Sequence, residues 1–307
     1  MPPNRRRDDA VRRHGEFEPP RARISESTPF PLEAARAVAG PRTRRSGTPP
    51  RHAPARRERT LVPAHRPNPT ARAMTSEANS HRPAPTELVL LDVGGPIYDD
   101  AVYRDALLRA TRELAETEID RETFQRVYDG QRQRQAGSLR TAVAEHFLTP
   151  GDRRGLSDLA ESYWEYPPSA LYPEVVPTLR TLAGRYRLAV VANQRELVVK
   201  ALRRDGIAEH IDVWAISETV GAEKPDPAIF RYALDRAGVP AERAVHVGNR
   251  LDTDVRGAKR VGLRSVWITR GEAPPEPTEA QLAEPDAVIR SLDELPAVLE
   301  RLEGTAS

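Results

Sequence analysis

Ala244-Val245-His246-Val247 runs directly into Gly248-Asn249-Arg250-Leu251-Asp252-Thr253-Asp254. A short, mostly apolar run of this kind reads as a strand buried on both faces. The glycine and the polar residues behind it read as the turn into a helix, predicted over Asp252–Val261. Similar runs occur at Leu88–Leu91, Leu188–Ala192, Val213–Ile216, Ser265–Ile268 and Ala287–Ile289. Helical stretches at Glu196–Arg204 and Pro227–Ala237 lie between them, and Leu292–Leu302 has leucines at helical spacing that would close the domain. Strands alternating with helices at this spacing predict a Rossmann-like α/β fold, a parallel sheet with helices on both faces.

The interval between Leu91 and Leu188 breaks the alternation. Tyr103, Leu107, Ala110 and Leu114 recur at helical spacing, as do Leu139, Val143 and Phe147, and again Leu156, Leu159 and Tyr163. An all-helical module is therefore predicted after the first strand. Ligands of such sheets bind at the carboxyl ends of the strands, so a module inserted there would cover the site as a lid. The predicted organisation is a tail over residues 1–84, an α/β core over 85–97 and 179–307, and a helical cap over 98–178.

Charge divides the 307-residue chain in the same way. Residues 1–84 carry 18 arginines, no lysine and 8 acids, a net +10, while the remainder carries 29 basic and 37 acidic residues, a net −8. A pI near 9.0 thus describes the tail and not the body, which argues against nucleic acid as a partner. Prolines interrupt the tail repeatedly and apolar periodicity is absent, so it is read as disordered. Three readings apply to it: an arginine-rich arm for acidic surfaces, a solvated extension, or translation that begins at Met74, with the last two preferred. The chain has no cysteine, which excludes a disulfide scaffold. It has neither a signal-peptide core nor a run of apolar residues long enough to span a bilayer. A soluble cytoplasmic protein with no membrane partner is expected.

Four strand ends carry candidate chemistry. Asp92 closes the first strand and begins a Gly94-Gly95 turn, where it is either a nucleophile or metal ligand or simply turn chemistry. The two glycines let a substrate approach the backbone. Asn193 ends the second run and either donates its amide to a bound anion or caps the following helix. Lys224 sits in Lys-Pro-Asp-Pro and is one of 3 lysines in a chain of 44 arginines, so a point cation is wanted there, to neutralise phosphate or to pair with Asp92. Asp226 and Pro227 read as a helix N-cap and first-turn proline. Asn249, Asp252 and Asp254 offer hard oxygen ligands of the kind Mg2+ prefers, or caps for the next helix.

Taken together and in this order, these segments resemble the haloacid dehalogenase-like hydrolases from about residue 87 onward. The strand-Asp, helical cap, strand-Asn, Lys-Pro-Asp-Pro and Gly-Asn-Arg-Leu-Asp-Thr-Asp before Gly-Ala-Lys-Arg-Val-Gly-Leu carry the likeness. The cap position is similar to that of the subgroup containing phosphoglycolate phosphatase and haloacid dehalogenase. The resemblance implies that Asp92 attacks phosphorus to form an aspartyl-phosphate and that Lys224 holds Asp92 and the transferring group. Asn193, Gly94 and Gly95 would contact the substrate together with Lys224. Mg2+ would be bound by Asp92, the Gly94 carbonyl, Asn249 and Asp254, with Asp254 preferred to Asp252. The implied reaction is Mg2+-dependent hydrolysis of a small phosphate ester.

Three positions depart from that pattern. The family's phosphatases usually carry a general acid/base Asp where this chain has Gly94, a Ser or Thr where it has Ala192, and a metal-binding Asp where it has Asn249. The first departure leaves open metal-independent dehalogenation, because a halide leaves without a proton. All three together leave open a binding protein that has kept the fold without the chemistry.

Overall fold

The structure is a computed structural model that describes residues 84–304, so the predictions made for the tail lie outside the described residues. The elements run in order as β1 Leu88–Leu91, α1 Ala101–Leu114, α2 Arg121–Arg134, α3 Leu139–Phe147, α4 Arg153–Tyr163 and α5 Val175–Ala183. There follow β2 Arg187–Ala192, α6 Leu197–Arg204, β3 Val213–Ile216, α7 Ser217–Val220, α8 Pro227–Ala237 and β4 Ala244–Gly248. The chain then forms a π-type turn at Leu251–Val255, α9 Arg256–Arg260, β5 Arg264–Ile268, α10 Glu279–Leu282, β6 Ala287–Ile289 and α11 Leu295–Leu302.

The six strands form one wholly parallel sheet in the order β3-β2-β1-β4-β5-β6. All six apolar runs are strands of it, as expected from a pattern in which both faces are covered. The alternate residues of β1 show why. Val89 and Leu91 enter one core with Leu179, Val190, Val247 and Leu299. Leu88 and Leu90 enter the other, with Val191, Phe230 and Ala233. The strand order reverses at β1, whose neighbours are β2 and β4. This is the switch point at which the carboxyl ends of strands leave a crevice, and Asp92 and Asn249 emerge there.

Helices α1 to α4 occupy the interval that broke the alternation. They pack around their own core, which includes Leu107, Phe124, Tyr128, Leu139, Val143 and Leu156. Helix α5 crosses the position 178/179 predicted as a domain boundary, and its Val175, Leu179 and Leu182 belong to the core of the sheet. The helix predicted over Asp252–Val261 is split. Both Asp254 and Val255 donate their N–H groups to the Arg250 carbonyl (3.1 and 3.2 Å), which widens the first turn into the π-type turn before α9. Insertions of this kind are common where a side chain must be aimed.

The loop after α2 joins the helical module to the sheet. Gln135 is fully buried in a left-handed conformation (φ 47°). Its Nε2 donates to the carbonyls of Arg132 (2.8 Å) and Glu272 (2.9 Å), and its Oε1 accepts the Leu251 N–H (2.8 Å). Next to it, Gly137 donates its N–H to Asp252 Oδ2 (3.0 Å) and accepts Arg250 Nη2 (2.8 Å) on its carbonyl. The module thus rests on the loops that follow β4 and β5. No helix among the described residues is long and apolar enough to cross a membrane. Replacing Gln135 by Ala would strand the buried Leu251 N–H. The expected loss is about 1–3 kcal/mol, read as a lower midpoint in urea unfolding.

Candidate active site

The ladder between β1 and β4 continues one residue beyond β1, where the Asp92 N–H donates to the Val247 carbonyl (2.9 Å). This fixes the Asp92 backbone and turns its carboxylate into the crevice. Lys224 reaches it from the loop before α8, and Lys224 Nζ lies 2.7 Å from Asp92 Oδ1 and 2.7 Å from Asp254 Oδ1. Asp254 also accepts from His246 Nε2 (3.1 Å) on Oδ1 and from the Arg250 N–H (2.9 Å) on Oδ2. The Lys224 and Asp254 side chains are 2% and 1% exposed, whereas Asp92 retains 16%. Of the three charged groups, Asp92 is the one open to a ligand.

The charges in this chain of contacts follow from burial opposed by pairing. Burial would raise the Asp254 carboxyl, but the Lys224 ammonium and the His246 hydrogen bond hold it well below the ordinary carboxylate range. Burial would lower the Lys224 ammonium, but the charges of Asp254 and Asp92 raise it above the usual lysine value. For Asp92 burial wins, helped by the negative charge of Asp254 and opposed by Lys224, so its carboxyl is raised.

Asn193 fixes Lys224 by its main chain. Its Nδ2 donates to the Lys224 carbonyl (2.8 Å) and its Oδ1 accepts the Lys224 N–H (2.6 Å). Asp226 caps α8 by accepting the Ala228 N–H (2.9 Å), with Pro227 in the first turn, as the sequence predicted. Asp252 points elsewhere. It forms a two-pronged pair with Arg250 (3.0 and 2.8 Å) and accepts from Gly137 of the helical module, so Asp254 is the acid that meets Lys224.

Gly94 and Gly95 form the turn beyond Asp92, with Gly95 at φ +82°. A Cβ on Gly95 would stand 2.3 Å from Asn249 Nδ2, so the turn closes around the Asn249 amide. Asn249 is buried and donates Nδ2 to Asp100 Oδ2 (2.6 Å), while its carbonyl accepts Trp267 Nε1 (2.9 Å).

Three residues at the site carry no motif and were missed by sequence reasoning. Asp100 is buried beside the Gly94 turn, and burial with the charges of Glu272 and Asp92 pushes its carboxyl well above the ordinary value. Glu272 follows β5 and donates its main-chain N–H to Asp100 Oδ2 (3.1 Å). Arg270 clamps the turn, giving Nε to the Gly95 carbonyl (2.7 Å) and Nη2 to the Pro96 carbonyl (2.8 Å) while pairing with Glu174. Only the general rule that strand ends carry function could have flagged the residues after β5. Tyr103 meets Trp164, and Trp164 meets Tyr166, at tilted ring contacts (centroids 4.6 and 5.4 Å), while Tyr166 stacks on Tyr98 (4.5 Å) and accepts Gln194 Nε2 (2.7 Å).

Among the described residues no three His, Asp or Glu side chains converge so as to hold a metal by themselves. Mg2+ usually takes one or two protein carboxylates and completes its shell with other oxygens and water. Asp92, with an open carboxylate, and the adjoining turn and Asn249 amide fit that demand. Burial, with the charge of Asp254 at Asp92 and the charges of Glu272 and Asp92 at Asp100, raises both carboxyls and marks a local excess of negative charge that a cation would relieve.

Comparison with known proteins gives the same picture. A family model described as haloacid dehalogenase-like hydrolase matches residues 86–262. Phosphoserine phosphatase of Thermus thermophilus is 39% identical over 172 residues, covering 52% of this chain and 65% of that protein. Glyceraldehyde 3-phosphate phosphatase of Methanopyrus kandleri is 46% identical over 105 residues, covering 33% of this chain and 44% of that protein. The chain therefore spans less than two thirds of the length of these relatives. The crystal structure of the HAD-hydrolase YfnB from Bacillus subtilis shares the fold, with a TM-score of 0.55 over 70% of this chain and 99% of that one at 20% identity.

A Cβ on Gly248 would fall 2.2 Å from Asp254 Cγ, leaving no space for a side chain between β4 and the Lys224 partner. Gly248→Ala is expected to cost about 1–3 kcal/mol through overpacking, seen as a lower Tm by calorimetry.

Proposed function

The chain belongs to the haloacid dehalogenase-like hydrolases, and we propose that it is a Mg2+-assisted phosphatase of a small phosphorylated metabolite. The observation that carries this reading is the Lys224 ammonium at 2.7 Å from both Asp92 and Asp254, with Asp92 alone open to the crevice. The phosphatase relatives point the same way.

In this reading an Asp92 carboxylate oxygen attacks phosphorus. The bond to the leaving oxygen breaks, an aspartyl-phosphate forms, and water then attacks phosphorus and returns Asp92 to the carboxylate. Phosphoryl transfer depends mainly on alignment and charge neutralisation, and Lys224 supplies both because Asn193 holds its main chain and Asp254 its ammonium. Mg2+ would be held by Asp92, the Gly94 carbonyl, Asn249 and Asp254, and when bound it would neutralise charge on the phosphoryl oxygens. Asp254 contributes least as a ligand, since both of its oxygens already accept hydrogen bonds from protein groups. Gly94 brings no acid, and Ala192 no hydroxyl, to the transferring group. The helical module acts as the cap that selects the substrate.

Asp92→Asn is expected to reduce phosphate release to background in an assay over a panel of phosphate esters. Turnover that persists in this variant would overturn the reading, and a wild-type chain inert on the whole panel would favour a binding protein. Lys224→Met should lower kcat about 10²–10³-fold, the usual loss when one preorganised charge-stabilising donor is removed. Chelation by EDTA should abolish phosphate release and added Mg2+ restore it. Chloride release from a 2-haloacid that survives EDTA would instead indicate dehalogenation, the second reading that Gly94 allows.

A further inference from the structure

Two stretches of chain connect the sheet to the helical module, residues 92–100 leaving β1 and residues 164–174 returning to α5. They run side by side. Asp99 donates its N–H to the Ala170 carbonyl (2.8 Å), Tyr172 donates its N–H to the Ile97 carbonyl (3.2 Å), and Tyr98 pairs with Leu171 in an antiparallel bridge. One side chain that follows β5 holds both stretches at their root. Arg270 gives Nε to the Gly95 carbonyl (2.7 Å) and Nη2 to the Pro96 carbonyl (2.8 Å) of the outgoing stretch. Its Nη1 meets Glu174 (2.5 Å), and its guanidinium carbon lies 3.6 Å from the centre of the Tyr172 ring, both on the returning stretch. All three guanidinium nitrogens are therefore engaged, and the side chain is only 14% exposed. The Arg270 main-chain carbonyl also accepts Asn249 Nδ2 (3.3 Å). Residue 270 thus touches both the Gly94-Gly95 turn and the Asn249 amide.

We propose that Arg270 is a positioning residue, which sets the Gly94-Gly95 turn, and with it the Gly94 carbonyl, for Mg2+ and the phosphoryl group. The inference rests on the phosphatase reading above. A turn of two glycines, with Gly95 at φ +82°, has backbone freedom that its own side chains do not restrain. The N–H groups of Ile97 and Tyr98 close it from inside by donating to the Val93 carbonyl (3.0 Å each). Arg270 fixes its outward carbonyls. A guanidinium does this better than an ammonium, because its planar fork presents several N–H donors at set angles and reaches two successive carbonyls at once. Glu174 and Tyr172 brace the fork from the other side, so the turn is held against the returning stretch and not only against itself. Groups that hold a metal's ligands in place control its affinity without touching it.

Metal affinity and local hydrogen exchange separate this role from a merely structural one. Arg270→Lys keeps a positive charge beside Glu174 and Tyr172 but replaces the fork by a single nitrogen. Titration calorimetry with Mg2+ on the substrate-free chain is expected to show a Kd raised about 10–100-fold in this variant. Exchange should quicken at the Gly95, Ile97 and Tyr98 amides and stay as in the wild type at the Leu88–Leu91 amides of β1. In Arg270→Ala, added methylguanidinium should lower the raised Kd again and methylammonium should not. Val298→Ala, which opens a cavity in the sheet core beneath α11, is the control for lost stability and should leave the Mg2+ Kd and the turn amides unchanged. Should Arg270→Lys not fold, Arg270→Gln replaces it with the same expectations. The role stands only if Kd and turn exchange change together. A wild-type value of either in the Arg270 variant, or an equal rise in Kd in Val298→Ala, would overturn it while Asp92-dependent turnover still stood. A wild-type chain that neither binds Mg2+ nor shows Asp92-dependent turnover would overturn the proposed function and this inference with it.

Discussion

The site depends on one buried ammonium. Lys224 Nζ bridges Asp92 and Asp254 at 2.7 Å each in surroundings that exclude almost all water from two of the three groups. A buried charge is tolerated only when it is paired, and removing one partner leaves the other uncompensated. The surrounding structure supplies that pairing by several separate devices. Asn193 grips both main-chain polar groups of Lys224, and Asp226 with Pro227 starts α8 immediately behind it. The π-type turn after β4 swings Asp254 inward, where His246 and the Arg250 N–H hold its two oxygens. A lysine suits this place better than an arginine because its charge is compact and its three N–H donors can point to separate acceptors.

A second constraint is lack of space. Gly94, Gly95, Gly248 and Gly271 each lie where a Cβ would collide with Asp100, Asn249 or Asp254. The backbone must approach these polar side chains closely for the hydrogen bonds to form at all. The Asn249–Asp100 pair is enclosed in this way, and Arg270 secures the enclosing turn by its carbonyls. The helical module is joined to the same region, since Gln135 and Gly137 bond to the loops after β4 and β5. Geometry at the strand ends and placement of the module are therefore coupled through shared loops.

The fold was legible because its signals are local. Each strand is a short apolar run, each of α6 and α8 has its own apolar face, and the Asp226-Pro227 cap is read from two adjacent residues. The candidate site was legible only in part. Asp92, Asn193, Lys224 and Asp254 stand at strand or helix ends in a family pattern, so they were nominated. Asp100, Arg270 and Glu272 were not, because nothing near them in sequence signals that they gather about the turn after Asp92. The split of the helix at Leu251–Val255 was missed for a similar reason, since a turn in which one carbonyl accepts two N–H groups looks the same in sequence as an ordinary first turn.

Periodicity, a property of a few neighbouring residues, was enough by itself to determine a parallel α/β sheet and an inserted helical module, while strand-end chemistry offered the aspartate–lysine pair as one of two readings of Lys224, which the family resemblance then favoured. Tertiary structure alone decided which oxygen meets which donor. It brought residue 100 against residue 94, turned Asp252 outward to Arg250 and Asp254 inward to Lys224, and laid Gln135 across the loop after β4. Those choices depend on contacts at about 3 Å, many of them between segments far apart in the chain, and hydrogen bonding and steric exclusion act only at that range.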